Sequence, residues 1–104
     1  MTFNYSNQRW HLIKKMKIKL ELFGASRDFS DNDHLEIEVQ NKASIDDLRN
    51  EIIKYLDINF KGNENFIKVV KSSAFCSENN EIISDNYKIT KDQKIGIIPP
   101  IGGG

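Results

Sequence analysis

The carboxyl terminus carries the residues whose chemistry can be inferred most directly. The chain ends in Ile97-Ile98-Pro99-Pro100-Ile101-Gly102-Gly103-Gly104. Gly104 carries the α-carboxylate, and no side chain near it would obstruct its insertion into the narrow active site of another enzyme. Each proline fixes its own φ near −65°, lacks an N–H and favours an extended conformation in the residue before it. The pattern predicts a stiff stem that carries a flexible, reactive tip.

The other residue types give little support to a catalytic or metal site. His11 and His34 are isolated and lack metal-ligand spacing. Cys76 is the single cysteine, and its place in a predicted strand favours a buried, unreactive thiol. The sequence contains no phosphate-loop or nucleophile motif. We therefore expect no metal, no cofactor bound by the chain itself, and no stand-alone catalytic activity.

Length and charge fit one small globular domain. Of the 104 residues, 38% are hydrophobic and 29% are charged. Residues 17–104 hold 12 basic and 15 acidic residues, and so form a mildly acidic body. That body lacks the basic stripe that phosphate backbones require, and no apolar run approaches the roughly 20 residues of a membrane span. We expect a cytosolic protein that binds neither nucleic acid nor membrane.

The chain divides near Met16. Residues 1–15 are polar and aperiodic, and we interpret them as a disordered extension or an upstream translation start. A targeting peptide fits less well, because the segment lacks a clear amphipathic repeat. Residues 17–22 and 35–40 alternate polar and apolar side chains, which predicts two half-buried strands. The polar, turn-rich residues 27–34 would join them as a hairpin loop.

One helix is well marked after these strands. Ser44 is a good N-cap, and Asp47 stands three residues on, as in a capping box. Asp46 and Asp47 also complement the positive end of the helix dipole. Apolar residues then recur at helical spacing, at Ile45, Leu48, Ile52, Tyr55 and Leu56. The helix is expected over residues 45–56, with Arg49 on one of its polar faces.

The second half of the sequence predicts short strands separated by loops. Residues 59–65 are expected to form a loop, and residues 66–70 a short strand or an irregular crossing. Residues 73–77 and 82–83 predict a hairpin, and residues 95–98 predict the last strand. The helix can bury its apolar stripe only against one face of a sheet. This order fits the α+β class with a β-grasp, or ubiquitin-like, architecture, in which a mixed sheet packs on one main helix.

With these motifs, the chain resembles the ubiquitin-like sulfur carriers, and most closely the family of small subunits of molybdopterin synthase. In that family the last strand ends in two apolar residues, then Pro-Pro, an aliphatic residue, a variable residue and Gly-Gly, which matches residues 97–104. Phe23 and the Arg27-Asp28 pair match the family's motif after the first strand. Residues 44–48 match the start of its helix. The resemblance covers residues 16–104.

The resemblance implies that Gly104 is the reacting residue. A ubiquitin-activating-like adenylyltransferase and sulfurtransferase would use ATP to adenylate it, and a sulfur donor would convert it to a thiocarboxylate. Gly102 and Gly103 would form the tail that reaches into the large catalytic subunit of molybdopterin synthase. There the thiocarboxylate would supply sulfur for the molybdopterin dithiolene. We expect a heterotetramer of two small and two large subunits, in which this chain is a non-catalytic carrier.

Docking to these partners is expected near the stem. The residues expected to bind them are Phe23, Arg27, Phe75, Ile98, Pro99, Pro100 and Ile101. An apolar patch would explain the two phenylalanines, although the core is the simpler explanation for each alone. Ile101 lies beyond the predicted sheet, which favours an interface. Arg27 matches a family position that contacts the activating enzyme, and a solvated turn residue is an equal alternative.

Two other classes of function stay open. A sulfur carrier for tRNA thiolation or thiamine synthesis, or a ubiquitin-like modifier joined to lysines through Gly104, would share the Gly-Gly end. The Pro99-Pro100 pair favours the synthase subunit, because those carriers usually lack it. A plain β-grasp interaction module would need no reactive terminus, and deleting Gly104 would leave its function nearly intact.

Overall fold

A computed structural model describes residues 15–101, which form a mixed sheet packed on two helices. The strands are β1 (Lys15–Leu22), β2 (His34–Gln40), β3 (Ala43–Ser44), β4 (Ala74–Ser77), β5 (Ile82–Ile83), β6 (Lys88–Ile89) and β7 (Gln93–Ile98). The helices are α1 (Ile45–Asn59) and α2 (Glu64–Ser72). A 3₁₀ turn, Gly24–Phe29, follows β1. No helix within the described range has the length and hydrophobicity that a membrane span requires.

The main sheet places the first and last strands side by side at its centre. Its order is β2-β1-β7-β4-β5, and β3 pairs with β6 in a separate small ribbon. β1 and β7 run parallel, whereas every other pair of strands in the described range is antiparallel. The predicted α+β β-grasp architecture, with a mixed sheet on one main helix, is confirmed. β1 begins at Lys15, paired with Gln40, one residue before the predicted domain start, and residues 1–14 lie outside the described residues.

The alternation read from the sequence corresponds to two faces of the sheet. In β1, Ile18, Leu20 and Leu22 are buried, while Lys17 and Lys19, which alternate with them, are exposed. Leu48 and Ile52 of α1 are fully buried in the same apolar cluster. The apolar stripe of α1 therefore packs against the inner face of the sheet, as predicted.

The start of α1 has the predicted capping box. The Ser44 hydroxyl accepts from the Asp47 N–H at 3.1 Å, and Asp47 Oδ2 accepts from the Ser44 N–H at 2.9 Å. The helix runs to Asn59, three residues past the predicted end. It continues because no glycine or proline interrupts it before Gly62, whose φ of +70° suits glycine.

This cap makes part of the stability depend on pH. The hydrogen bond from the Ser44 main chain, followed by the Ser44 side chain, lowers the pKa of Asp47 below its ordinary 3.8. A folded-state pKa below the unfolded one stabilises the fold above about pH 3.8, and that stabilisation is lost as the pH falls through the folded pKa. Asp47→Asn keeps an acceptor oxygen but removes the charge, and should therefore lower the free energy of unfolding near neutral pH by about 0.5 kcal/mol.

The difference between wild type and Asp47→Asn should shrink below about pH 3.8. Urea unfolding at a series of pH values measures it. Asp31→Asn, on an exposed loop, is the matched control and should show no such trend. A difference that is the same at pH 3 and pH 7 would contradict the role given to the charged carboxylate.

The second helix corrects the sequence prediction. Residues 66–70 were expected to form a strand or an irregular crossing, but they lie within α2. Asn63 caps this helix, because its Oδ1 accepts from the N–H groups of Asn65 and Phe66, at 3.0 and 3.2 Å. The Phe66 ring packs 5.2 Å from that of Phe29, centroid to centroid. Capping and core packing outweigh the strand preference of the β-branched residues in this segment.

Arg49 ties α1 to the end of α2 and to the segment before β6. Its guanidinium donates to the carbonyl oxygens of Val70 and Ser73, both at 2.8 Å, and to Asp85 Oδ1 at 2.9 Å. Its Cζ lies 4.9 Å from the centroid of the Phe75 ring. The side chain is only 12% exposed. Arg49 is thus an internal connector rather than one of several solvated polar residues.

Candidate functional site

The stem continues directly from β7. Ile98 is half-buried, Pro99 is buried and Pro100 is exposed. Ile101, the last described residue, is 98% exposed. The interface expected at Ile101 stays a prediction, and the exposure makes the side chain available for it. The predicted reactive tail, Gly102–Gly104, lies outside the described residues.

The 3₁₀ turn after β1 supports the base of the stem. Pro99 Cγ and Cδ lie 3.9 Å from the point where a Cβ on Gly24 would stand, so the proline packs against this turn. Gly24 has a φ of +55°, in the left-handed region that favours glycine. Arg27 lies in the same turn and is exposed. This exposure fits both explanations of Arg27, a contact with the activating enzyme and a solvated turn residue. The turn therefore joins the first strand of the domain to the beginning of the stem.

The same turn fixes Phe23. Ser26 is fully buried, and its hydroxyl donates to the Phe23 carbonyl at 2.6 Å and accepts from the Phe23 N–H at 2.9 Å. The Phe23 ring lies over Gly96 of β7. A Cβ on Gly96 would stand 2.9 Å from Phe23 Cε2 and 2.8 Å from Cys76 Sγ. Gly96 therefore lets the ring lie close to the strand.

Beside the stem, the outer face of the sheet is apolar. This apolar patch consists of Phe23, Ala74, Cys76, Ile82, Gly96 and Ile98. Cys76 pairs with Gly96 on one side and with Ile82 on the other. Ala74 pairs with Ile98. Directly paired residues share a face of the sheet, so these side chains form one surface.

Exposure within the apolar patch is uneven. Ile82 is 68% exposed and Phe23 is 38% exposed. Cys76 is 5% exposed, which agrees with the buried thiol expected from the sequence. It belongs to the outer face, however, where its sulfur and the Phe23 ring both lie beside Gly96. Large apolar side chains that share one exposed surface are typical of protein–protein interfaces.

The rest of the outer face carries mixed charge. Lys17 pairs with Glu38, and Lys19 pairs with Glu36. The Nζ atom of Lys94 lies 3.5 Å from a carboxylate oxygen of Glu21. The outer face therefore has an apolar half beside the stem and a charged half over β1 and β2. Such an asymmetric face can fix the orientation of a partner, because the charges disfavour a reversed complex.

The structure buries two of the predicted docking residues, Phe75 and Pro99. Phe75 is 1% exposed and faces the core, so the alternative explanation as a core residue is confirmed. The reason is the parity of β4, in which Ala74 and Cys76 take the outer face and Phe75 takes the inner one. For Phe23 the core explanation is wrong, since its ring lies on the outer face. Pro99 packs against the turn at Gly24 and so supports the base of the stem.

Four members of the apolar patch, Ala74, Cys76, Ile82 and Gly96, were not among the predicted docking residues. Gly96 carried a usable signal, because a glycine between buried isoleucines of a strand often marks a close approach. Ile82 and Ala74 carried none, since their exposure depends on strand pairing. Within residues 15–101, no cluster of His, Cys, Asp and Glu could hold a metal ion. His34 instead contacts Asp33 at 3.1 Å, and this hydrogen bond lowers the pKa of Asp33.

Replacing Gly96 with alanine tests how the apolar patch is built. The new Cβ would overlap both the Phe23 ring and the Cys76 sulfur. We expect a loss of about 1–3 kcal/mol of stability as the ring is displaced. In a Phe23→Ala background the same change should cost less, with a coupling of about 1 kcal/mol measured by urea unfolding. Strictly additive costs would mean that the ring does not lie on Gly96.

Comparison with known proteins identifies the family to which the chain belongs. The model of the ThiS family matches residues 20–104. A Pyrococcus furiosus protein assigned as molybdopterin converting factor subunit 1 has a similar structure, with a TM-score of 0.61 and 24% identity over 83% of this chain and 99% of that one. No curated protein sequence matches the chain significantly.

Two further solved structures are similar. The small archaeal modifier protein 1 of Haloferax volcanii has a TM-score of 0.59 at 12% identity, covering 83% of this chain and 99% of its own. The ubiquitin of Caldiarchaeum subterraneum has a TM-score of 0.54 at 18% identity, covering 88% and 100%. At such identities the likeness establishes the β-grasp fold alone, and the family rests on the sequence match. Because that match runs from β1 to the terminal glycine, the chain belongs to the ThiS family of ubiquitin-like sulfur carriers.

Proposed function

We propose that this chain is the sulfur carrier subunit of molybdopterin synthase and that Gly104 is its reacting residue. The observation that carries the proposal is the stem, which rises from a buried Pro99 to a fully exposed Ile101 beside the apolar patch. A group that must enter the active sites of other proteins needs a fixed base and an adjacent docking surface. The Pro99-Pro100 pair supports the synthase subunit in particular, because the other carriers usually lack it.

The proposed chemistry begins with a terminal carboxylate that is ionised near neutral pH. A carboxylate resists nucleophiles because it is already negative. One of its oxygens therefore attacks the α-phosphorus of ATP, held by a ubiquitin-activating-like adenylyltransferase, and pyrophosphate leaves. Sulfide then attacks the carbonyl carbon of this mixed anhydride, and AMP leaves. If the donor is a persulfide, its outer sulfur attacks instead and forms an acyl disulfide, which a thiol of the donor enzyme cleaves, leaving a disulfide on that enzyme. Gly104 then ends in a thiocarboxylate.

The thiocarboxylate next serves a larger catalytic subunit, which supplies the residues that this chain lacks. Its sulfur attacks a carbon of the pterin precursor and displaces an oxygen leaving group from that carbon. Hydrolysis of the resulting acyl–sulfur bond then leaves the sulfur on the precursor and returns Gly104 to a carboxylate. The apolar patch would dock on that subunit while the tail enters its active site. In this proposal, two carriers and two large subunits form a heterotetramer in the cytosol.

Mass spectrometry of the C-terminal peptide tests the carrier chemistry. After incubation with the cognate activating enzyme, ATP and a sulfur donor, the peptide should be heavier by one oxygen-to-sulfur replacement. Adding the large subunit and the pterin precursor should restore the original mass and yield molybdopterin. An unchanged peptide would contradict the carrier mechanism. A thiocarboxylate that the large subunit does not consume would point to tRNA thiolation or thiamine synthesis, and lysine conjugates would point to a protein modifier.

A further inference from the structure

A groove of about 310 Å³ runs between the stem and α2. Its walls are formed by Ala25, Asn65, Lys68, Val69, Ser72, Pro99 and Pro100. The four α2 residues recur at intervals of three and four, so they form one stripe of that helix. None of the groove residues belongs to the apolar patch. The groove is therefore a second surface at the base of the tail.

The charge of the groove is one-sided. Among the described residues that line it, Lys68 alone is charged, and its side chain is exposed. Val69 and the two prolines provide an apolar wall. The Ser72 hydroxyl already donates to the Lys68 carbonyl at 2.9 Å, within the helix. A matching surface would combine a short apolar segment with a carboxylate placed to meet the Lys68 ammonium.

The short chain distance between Pro100 and Gly104 means that any enzyme acting on the terminal carboxylate must approach this groove. Gly104 is three residues beyond Ile101 and four beyond Pro100, and four extended residues span at most about 14 Å. An active site that holds the terminal carbonyl carbon must therefore lie within that distance of Pro100. Ile101 lies between Pro100 and the terminal residue in the chain, so the part of the enzyme that receives the tail comes close to Pro100, which is itself a wall of the groove.

We propose that an acidic segment at the active-site rim of the activating enzyme occupies this groove and pairs with Lys68. The proposal rests on the proposed function only in requiring that Gly104 be activated. Activation precedes every use of a C-terminal glycine, so the proposal holds whether the sulfur goes to a pterin, a tRNA or thiamine. The groove would then orient the tail during adenylation, while the apolar patch provides the larger contact.

Two variants and two matched controls test this proposal. Lys68→Glu reverses the charge in the groove, and Ser72→Trp fills it. Lys71→Glu and Lys71→Trp make the same kinds of change at an exposed α2 residue that does not line the groove. The readout is pyrophosphate release by the cognate activating enzyme, supplied with ATP and a sulfur donor, as a function of carrier concentration. Circular dichroism verifies that each variant keeps the wild-type melting temperature within a few degrees.

Both groove variants should raise the KM for the carrier at least tenfold with little change in kcat, whereas both Lys71 variants should stay within about twofold. Raising the salt concentration should weaken wild type more than Lys68→Glu, because an ion pair is screened. A carbodiimide should also join Lys68 to an acidic residue of the enzyme. Groove variants with the KM of wild type, or equal effects at positions 68 and 71, would overturn the groove proposal alone. A wild-type chain that is not adenylated would overturn the proposed function as well.

Discussion

Extending the chain by a single alanine after Gly104 is expected to reduce sulfur transfer about 100-fold or more. The extra residue moves the terminal carboxylate by up to about 3.6 Å and places a methyl group beside it. A misplacement of about 1 Å at a reacting centre can already cost about 100-fold. The measurement is the rate of molybdopterin formation with the activating enzyme, ATP, a sulfur donor and the large subunit. The extended carrier should stay near the rate without carrier.

Gly102→Ala is the matched control for this experiment. It adds the same methyl group to the tail, two residues before the reacting end, and leaves the terminal carboxylate on Gly104. This position is the variable one in the family motif that the sequence resembles, so the variant should keep most of the wild-type rate. If the extended carrier worked as well as Gly102→Ala, the terminal carboxylate would not be the reacting group. The stem and the apolar patch would then have to serve docking alone.

Arg49→Met is expected to lower the free energy of unfolding by about 3 kcal/mol. The change removes the donor of both hydrogen bonds to the carbonyls of Val70 and Ser73, which then lack that partner. A hydrogen bond to a charged group is worth about 1.5–3 kcal/mol. The Asp85 carboxylate is 72% exposed, so its ion pair with Arg49 adds little. Urea unfolding monitored by circular dichroism gives the value.

Two controls separate the causes of that loss. Arg49→Lys keeps the charge but cannot place two donors on separate carbonyls, so about half of the loss should remain. Lys54→Met breaks an exposed pair with Glu51 on the same helix, where the side chain of Lys54 is 70% exposed, and should cost less than about 0.5 kcal/mol. A loss below about 1 kcal/mol for Arg49→Met would mean that water replaces the guanidinium at the end of α2.

Local rules in the sequence predicted the elements whose signals are short-range. The capping box of Ser44 and Asp47 and the alternation in β1 depend on residues a few positions apart, and both are confirmed. α2 also had a local signal, the N-cap Asn63, but the β-branched Ile67, Val69 and Val70 favoured a strand. Those residues take helical geometry because the helix buries Val70 in the core.

The candidate site divides in the same way. The tail could be read from the sequence because it would react through the main chain, and glycines and prolines are defined by their main-chain properties. The apolar patch could not be read, because it depends on which β4 residue faces outward and on the pairing of Cys76 with Gly96. A shift of one residue in the register of β4 would place Phe75 on the outer face and Cys76 on the inner one. The role of Arg49 depends on contacts up to 36 positions away in the chain.

The parallel pairing of β1 with β7 governs when the domain can form. β7 is synthesised last, yet it lies between β1 and β4 in the finished sheet. The Lys17 N–H, for example, bonds to an Asp92 carboxylate 75 positions away. Closing so large a separation slows folding, and a nascent chain still short of β7 lacks its central strand. Truncated products from the ribosome would thus lack both a complete sheet and the C-terminal tail that follows β7. An activating enzyme that recognises both features would leave such products unmodified.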